Sequence, residues 1–365
     1  MSPLRIPTVN FGPLLAATEL AWRARLDELF ARKNFILGEQ LDAFEREFAA
    51  ATGARFAIGV GNGTDALSLC LRDAHVTSPK QEAITSALTA PFTGIGIAAA
   101  GCSVRFADID PETLLLDPAD VEYRSTRRTS AVVPVLLYGQ PVDPRQFRPL
   151  VIQDACQAHG VPSLSRLSPY VAYSFYPTKN LGALGDGGAI ATNQPSIDRR
   201  LRMLRDGGRR GGQISYVMGI NSRLDEIQAC FLRAFLPNLD AWNTHRRRIA
   251  ALYDEMLKDC PGVRPVKTSP DSVRHLYVVR VKRRDKLRAH LAQYGIGTGV
   301  HYPVPLHLMP AFRDSGLKRG DLPHAEKAAR EVLSLPLWPY MPDSAAEEVA
   351  GRIRGFAVSS GKTAP

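Results

Sequence analysis

Ser174-Phe-Tyr-Pro-Thr-Lys-Asn-Leu-Gly-Ala-Leu-Gly-Asp-Gly-Gly188 is the stretch whose reading decides the fold. The apolar and aromatic run Tyr170–Tyr176 leads into it with the character of a short buried strand. Pro177 ends that strand, because proline cannot donate to a ladder. Lys179 then falls in a loop with Gly182, Gly185, Gly187 and Gly188, residues that let a backbone approach a ligand closely. A lone loop lysine is ordinarily a solvated cation. At a strand end, beside Ser174 and Thr178, it reads instead as a buried amine of lowered pKa. Such an amine can form a Schiff base with a carbonyl.

Outward from this stretch, further short apolar runs read as strands: Arg55–Val60, Glu82–Ala87, Val104–Asp108, Ala131–Leu137, Leu150–Asp154 and Gly188–Thr192. Helical spacing covers 14–32 and 39–51, and further helices start at Thr64 and Pro91. Seven short buried strands with helices between them predict an α/β fold around a mostly parallel seven-stranded sheet. Ligands of such sheets collect in the loops after the strands' carboxyl ends. Beyond Leu224 the pattern changes. Leu224–Asp259 reads as a long helix broken or kinked at Pro237, His275–Val281 as a strand, and Asp285–Tyr294 and Ala325–Leu333 as helices. The expected division is a large domain over 1–240, with an N-terminal helical segment, and a small α+β domain over 241–365.

Two more motifs follow strand ends. In Val151-Ile-Gln-Asp-Ala-Cys-Gln-Ala-His-Gly160, Asp154 closes a strand. It reads as a helix N-cap, or as the carboxylate that keeps a pyridine nitrogen protonated, as pyridoxal phosphate requires of its ring. Gln157, one helical turn later, can reach the ring hydroxyl. In Val60-Gly-Asn-Gly-Thr-Asp-Ala-Leu67 a helix opens near Thr64, and helix N-termini suit phosphate. Gly63 allows close approach and the Thr64 hydroxyl adds a donor. A lysine for an aldehyde, an acid for a ring nitrogen and a cradle for a phosphate thus converge where the sheet rule places a ligand.

Composition narrows the class. Of 365 residues, 45% are hydrophobic and 22% charged, which is globular and not disordered. No run reaches the roughly 20 apolar residues of a membrane span, and Met1–Gly12 lacks signal or transit patterning, so a cytoplasmic protein is expected. Five scattered cysteines without a C-x-x-C argue against disulfides and against a metal site. The net charge of +10 is spread over separate clusters without a nucleic-acid signature. It suits an anionic small substrate better than nucleic acid or membrane.

The motifs resemble the DegT/DnrJ/StrS family of pyridoxal-phosphate sugar aminotransferases. Gly63-Thr-Asp-Ala-Leu67, Asp154-Ala-Cys-Gln-Ala-His-Gly160, Ser174–Gly188, Gly219-Ile-Asn-Ser-Arg-Leu-Asp-Glu-Ile-Gln228 and Gly297-Thr-Gly-Val-His-Tyr-Pro-Val-Pro-Leu-His307 carry the resemblance, which runs from about Ile6 to Ile353. It implies a fold-type-I, aspartate-aminotransferase-like architecture and a homodimer with shared active sites. It implies amino transfer from glutamate to a nucleotide-linked keto sugar, at C3 in preference to C4, in amino-sugar biosynthesis. Lys179 would bind the cofactor covalently and move the proton, and Asp154 would pair with the ring nitrogen. Gln157 would contact the ring oxygen, and Gly63, Thr64 and Ser174 would hold the phosphate. Asn221 would reach the partner subunit's cofactor phosphate, and His301 and Tyr302 would lie near the sugar or its diphosphate. Ala90 stands where the family usually has an aromatic residue stacked on the cofactor; Phe92, two residues on, is the candidate substitute. The alternatives are another pyridoxal-phosphate enzyme of the same fold, such as a sugar dehydratase or desulfurase, and a non-catalytic cofactor-binding regulator. Dehydratase relatives carry histidine in place of the lysine, so Lys179 argues against that branch.

Overall fold

The structure, a computed structural model, describes residues 4–361. Helices α1 (Gly12–Ala17), α2 (Glu19–Arg32) and α3 (Glu39–Thr52) precede β1 (Phe56–Val60). Then come α4 (Gly63–Asp73), β2 (Glu82–Ser86), α5 (Pro91–Ala100), β3 (Ser103–Ala107), α6 (Pro118–Arg124) and β4 (Thr129–Val133). They are followed by β5 (Ile152–Asp154), α7 (Leu164–Leu167), β6 (Tyr170–Ser174), β7 (Gly188–Thr192) and α8 (Pro195–Arg205). The rest is α9 (Glu226–Phe235), α10 (Leu239–Leu257), β8 (Val263–Pro265), β9 (Tyr277–Val281), α11 (Arg284–Gln293), α12 (Pro323–Glu331), β10 (Val332–Leu335) and α13 (Asp343–Gly361).

The expected single seven-stranded sheet is found as two regular ladders, β1-β7-β6-β5 and β3-β2-β4. They touch only through isolated parallel bridges, Val132–Val151 and Val135–Asp154. Pro134 lies between those bridges and has no N–H to give, which interrupts the ladder. Its carbonyl still accepts from the Asp154 N–H at 3.0 Å. The β2–β3, β2–β4 and β5–β6 pairs are parallel, and both antiparallel pairs involve β7. β2, β5 and β7 are buried throughout and β1 and β6 at all but one residue, which is why these strands do not alternate between apolar and polar residues.

The long helix expected over Leu224–Asp259 is two helices, α9 and α10, separated by a 3-10 turn at Leu236–Asn238 that holds Pro237. α9 begins at Glu226, with Asp225 at its N-cap position. The predicted helix through Leu333 stops at Glu331, and Val332–Leu335 becomes a strand paired with β9. The amphipathic helices α8 and α13 lie outside the sequence reading. α10 runs unbroken through residue 240. Its Leu239 and Trp242 join the core beneath α3 and α9, whereas Ile249, Tyr253 and Leu257 join a second core with β9, β10 and α13. Ile6 also packs into that second core, held by Ile6 N–H to the Gly295 carbonyl and Gly297 N–H to the Ile6 carbonyl.

Candidate active site

β6 ends at Ser174 and delivers Lys179 five residues later. The Phe175 N–H to Gly187 and Ala183 N–H to Phe175 bonds, both 2.7 Å, fold the intervening loop back on itself. Its glycines are also required by that packing. A Cβ on Gly182 would lie 2.2 Å from the Pro177 oxygen, and one on Gly188 would lie 2.5 Å from the Asn62 carbonyl. Asn180 anchors the loop to the C-terminal half: its amide N–H groups reach Asn243 Oδ1 at 2.7 Å and the Val273 carbonyl at 3.0 Å. Burial lowers the pKa of the Lys179 ammonium from its ordinary value, against the pull of Cys156 and of the Asp154 carboxylate. Lys179 and Asp154 line the same cavity without forming an ion pair.

Asp154 ends β5 and is 3% exposed. No helix follows it, so it is not an N-cap; a turn does, and its Cys156 N–H donates to Asp154 Oδ1 at 3.1 Å. The Thr93 hydroxyl donates to Oδ2 at 2.8 Å. Gln157 therefore sits in a turn and not one helical turn on. Its Oε1 accepts from the Tyr138 N–H at 2.7 Å, and its Nε2 donates to the Tyr302 hydroxyl at 3.0 Å.

The helix expected at Thr64 begins at Gly63. Asn62 is its N-cap, accepting the Asp65 N–H at 2.8 Å. The N–H groups of Gly63 and Thr64 have no intrahelical acceptor at this position. A Cβ on Gly63 would stand 2.7 Å from Ser174 Cβ and 2.9 Å from Cys156 Sγ, so glycine lets the helix start press onto the end of β6.

These parts line one cavity of about 710 Å³. Gly63, Thr64, Phe92, Asp154, Gln157, Ser174, Lys179, His301 and Tyr302 all border it. Phe92 is 62% exposed in the first turn of α5. His301 Nδ1 pairs with Ser334 Oγ at 2.8 Å, and its pKa is pushed down to about 4 by burial and then by the Lys179 charge. Burial raises the pKa of the Tyr302 hydroxyl above its ordinary value, helped by the Asp154 carboxylate. Asn221 is not brought to this cavity. It is exposed and bridges Asp206 on the edge of the loop between α8 and α9, while its neighbour Ser222 donates to Asp65 Oδ2 at 2.7 Å.

Sequence reading missed Thr93, Asn180 and His275. Thr93 was within reach, since it follows β2 in the position the sheet rule marks. His275 carries no local motif; it lines the cavity, and its Nδ1 lies 2.9 Å from Asn180 Oδ1.

The residues fit pyridoxal phosphate. Thr64, Ser174 and two unclaimed helix N–H groups make a phosphate cradle. Asp154 offers a buried charge for a ring nitrogen, and Lys179 an amine of lowered pKa. No cluster of candidate metal ligands occurs among the described residues, and no helix among them is long and apolar enough to cross a membrane.

Residues 19–354 match the model of the DegT/DnrJ/EryC1/StrS aminotransferase family. The chain is 42% identical over 368 residues to dTDP-3-amino-3,4,6-trideoxy-alpha-D-glucose transaminase of Streptomyces venezuelae, covering 96% of this chain and 97% of that one. It is 42% identical over 346 residues to the pleiotropic regulatory protein of Geobacillus stearothermophilus, with 91% and 93% covered. Among solved structures it superposes on S. venezuelae DesV in complex with ketimine intermediate with a TM-score of 0.94 at 38% identity, covering 98% of this chain and 99% of that one.

Proposed function

Because this chain belongs to the DegT/DnrJ/EryC1/StrS aminotransferase family, we propose that it moves an amino group from glutamate to a nucleotide-linked keto sugar, at C3. The family uses pyridoxal phosphate. One observation supports the reading most: Lys179, Asp154 and the start of α4 face one cavity. When bound, the cofactor supplies an aldehyde for amines and an electron sink for charge on carbon. In this reading Lys179 would hold that aldehyde through its Nζ, and the same buried amine would move the proton at the reacting carbons. Asp154 holds the ring nitrogen protonated, and Gln157 orients the ring from its hydroxyl side. Gly63, Thr64 and Ser174 bind the phosphate, and Phe92 covers the ring. His301 and Tyr302 border the space left for the sugar. The preference for C3 draws on the S. venezuelae relative, whose product is a 3-amino sugar.

The same proposal includes a two-fold homodimer in which Asn221 serves the partner's cofactor. Its exposure, away from its own cavity, supports this. It also includes a large unit over 1–240 and a small one over 241–365; apart from Ile6, the buried side chains packed with Ile249, Tyr253 and Leu257 lie beyond residue 241. The test is incubation of the purified protein with glutamate and a panel of nucleotide keto sugars, followed by mass spectrometry. An amino sugar and 2-oxoglutarate are expected; amino product from 4-keto sugars alone overturns the C3 assignment, and no amino product from any keto sugar overturns the substrate class. Lys179→Ala is expected to bind cofactor without the yellow colour of the covalent form and to lose turnover. Wild-type turnover by that variant would remove Lys179 from the chemistry.

A further inference from the structure

Asp154 receives one donor on each oxygen: the Cys156 N–H on Oδ1 at 3.1 Å and the Thr93 hydroxyl on Oδ2 at 2.8 Å. The Thr93 oxygen also lies 3.1 Å from the Thr89 oxygen. A threonine hydroxyl has one proton. That of Thr93 is already on the carboxylate, so the Thr89 hydroxyl donates into Thr93. Thr89 is 1% exposed and Thr93 3%, so bulk water does not stand in for either. The chain therefore has one direction, from Thr89 to Thr93 to Asp154. Its last donor, in the first turn of α5, holds one carboxylate oxygen in a fixed direction.

We propose that Thr93 is the positioning residue of Asp154: it aims one carboxylate oxygen toward the ring nitrogen of the bound cofactor. Thr89 fixes the Thr93 hydroxyl in the donating orientation. This rests on the reading of Asp154 given above. It assigns the start of α5 a role distinct from that of Phe92, which covers the ring.

The test compares affinities of the cofactor-free protein for pyridoxal phosphate and for its deaza analogue, in which carbon replaces the ring nitrogen. Wild type is expected to prefer pyridoxal phosphate. Thr93→Val should lower that preference about tenfold, the scale of one hydrogen bond to a charged group, with the analogue's affinity unchanged. Thr93→Ser keeps the donor and should restore the preference. Thr93→Ala, which loses the donor without adding bulk, gives the same reading if the valine variant does not fold. An unchanged preference in Thr93→Val or Thr93→Ala overturns the proposal. So does an equal loss in Thr93→Ser, which would make the residue a matter of shape. A wild type that binds both compounds equally overturns the Asp154 reading itself, and this inference with it.

Discussion

His159 belongs to the Asp154–Gly160 motif, and its burial bears on stability rather than on the proposed chemistry. Its ring is fully buried against Tyr173 and Phe175, with the Ser174 backbone as its hydrogen-bonding neighbour. Burial, and then the Lys179 charge, pushes its pKa down to about 3 from an ordinary 6.5. The unfolded chain thus binds a proton between those values that the folded chain refuses. Stability rises with pH across that window and is lost as pH falls from 6.5 toward 3, by up to roughly 4–5 kcal/mol for this group. His159→Phe should flatten the acid side of the stability curve, read as urea-unfolding free energy between pH 6.5 and 4. Identical slopes in the two proteins would show that His159 stays out of the titration. Lys179 and Asp154 were legible in the sequence because each follows a strand within a motif. The neutral state of His159 was not, because its burial is set by aromatic residues of β6 and the loop beyond it, not by its own segment.

Two helix starts must hold a fixed separation for the cavity to work. α4 brings Gly63 and Thr64, and α5 brings Phe92 and Thr93. Gly96 sets how closely the two helices approach: a Cβ there would lie 2.9 Å from the Thr64 carbonyl oxygen and 3.1 Å from Leu67 Cβ. Gly96→Ala should wedge the helices apart. Overpacking of this kind costs about 1–3 kcal/mol in stability, and the cofactor dissociation constant should rise with it. Thr64→Val, by contrast, should weaken cofactor binding by roughly 1.5–3 kcal/mol, one hydrogen bond to a charged group, with stability nearly unchanged. Equilibrium cofactor titration beside urea unfolding separates the two. A Gly96→Ala protein with native stability and native affinity would show that the contact has slack. Strand and helix types were readable here from apolar runs, from Pro91 and from the glycine pair before Thr64. The break between β4 and β5 was not, because it depends on which N–H groups face the neighbouring strand, a matter of register. Nor was the strand at Val332, where pairing with β9 overrides a helical pattern.

At the scale of the molecule, the chain leaves apolar side chains exposed in the same region as Asn221. Ile214 is 63% exposed, Tyr216 59% and Met218 89%, all in the loop between α8 and α9 that also carries Asn221. Exposed apolar patches of this kind mark association surfaces. Asn221 is not the cap of α9, whose N-cap position is Asp225. Its backbone bridges Asp206 and it does not line its own cavity, which leaves its side chain free for the proposed role. In a two-fold dimer each subunit would then complete the other's phosphate pocket, and cofactor would stabilise the dimer by mass action. Lys179→Ala and Asn221→Ala subunits, each impaired alone, test this when mixed under exchange conditions. In the mixed dimer one site carries both lesions and the other carries neither. Activity should reappear, up to about half that of wild type per heterodimer, because one of two equivalent sites is whole. If Asn221 serves its own chain, every site in the mixture carries one lesion. Proven exchange without recovery of activity would then place Asn221 in its own subunit's service and remove the argument for a shared site.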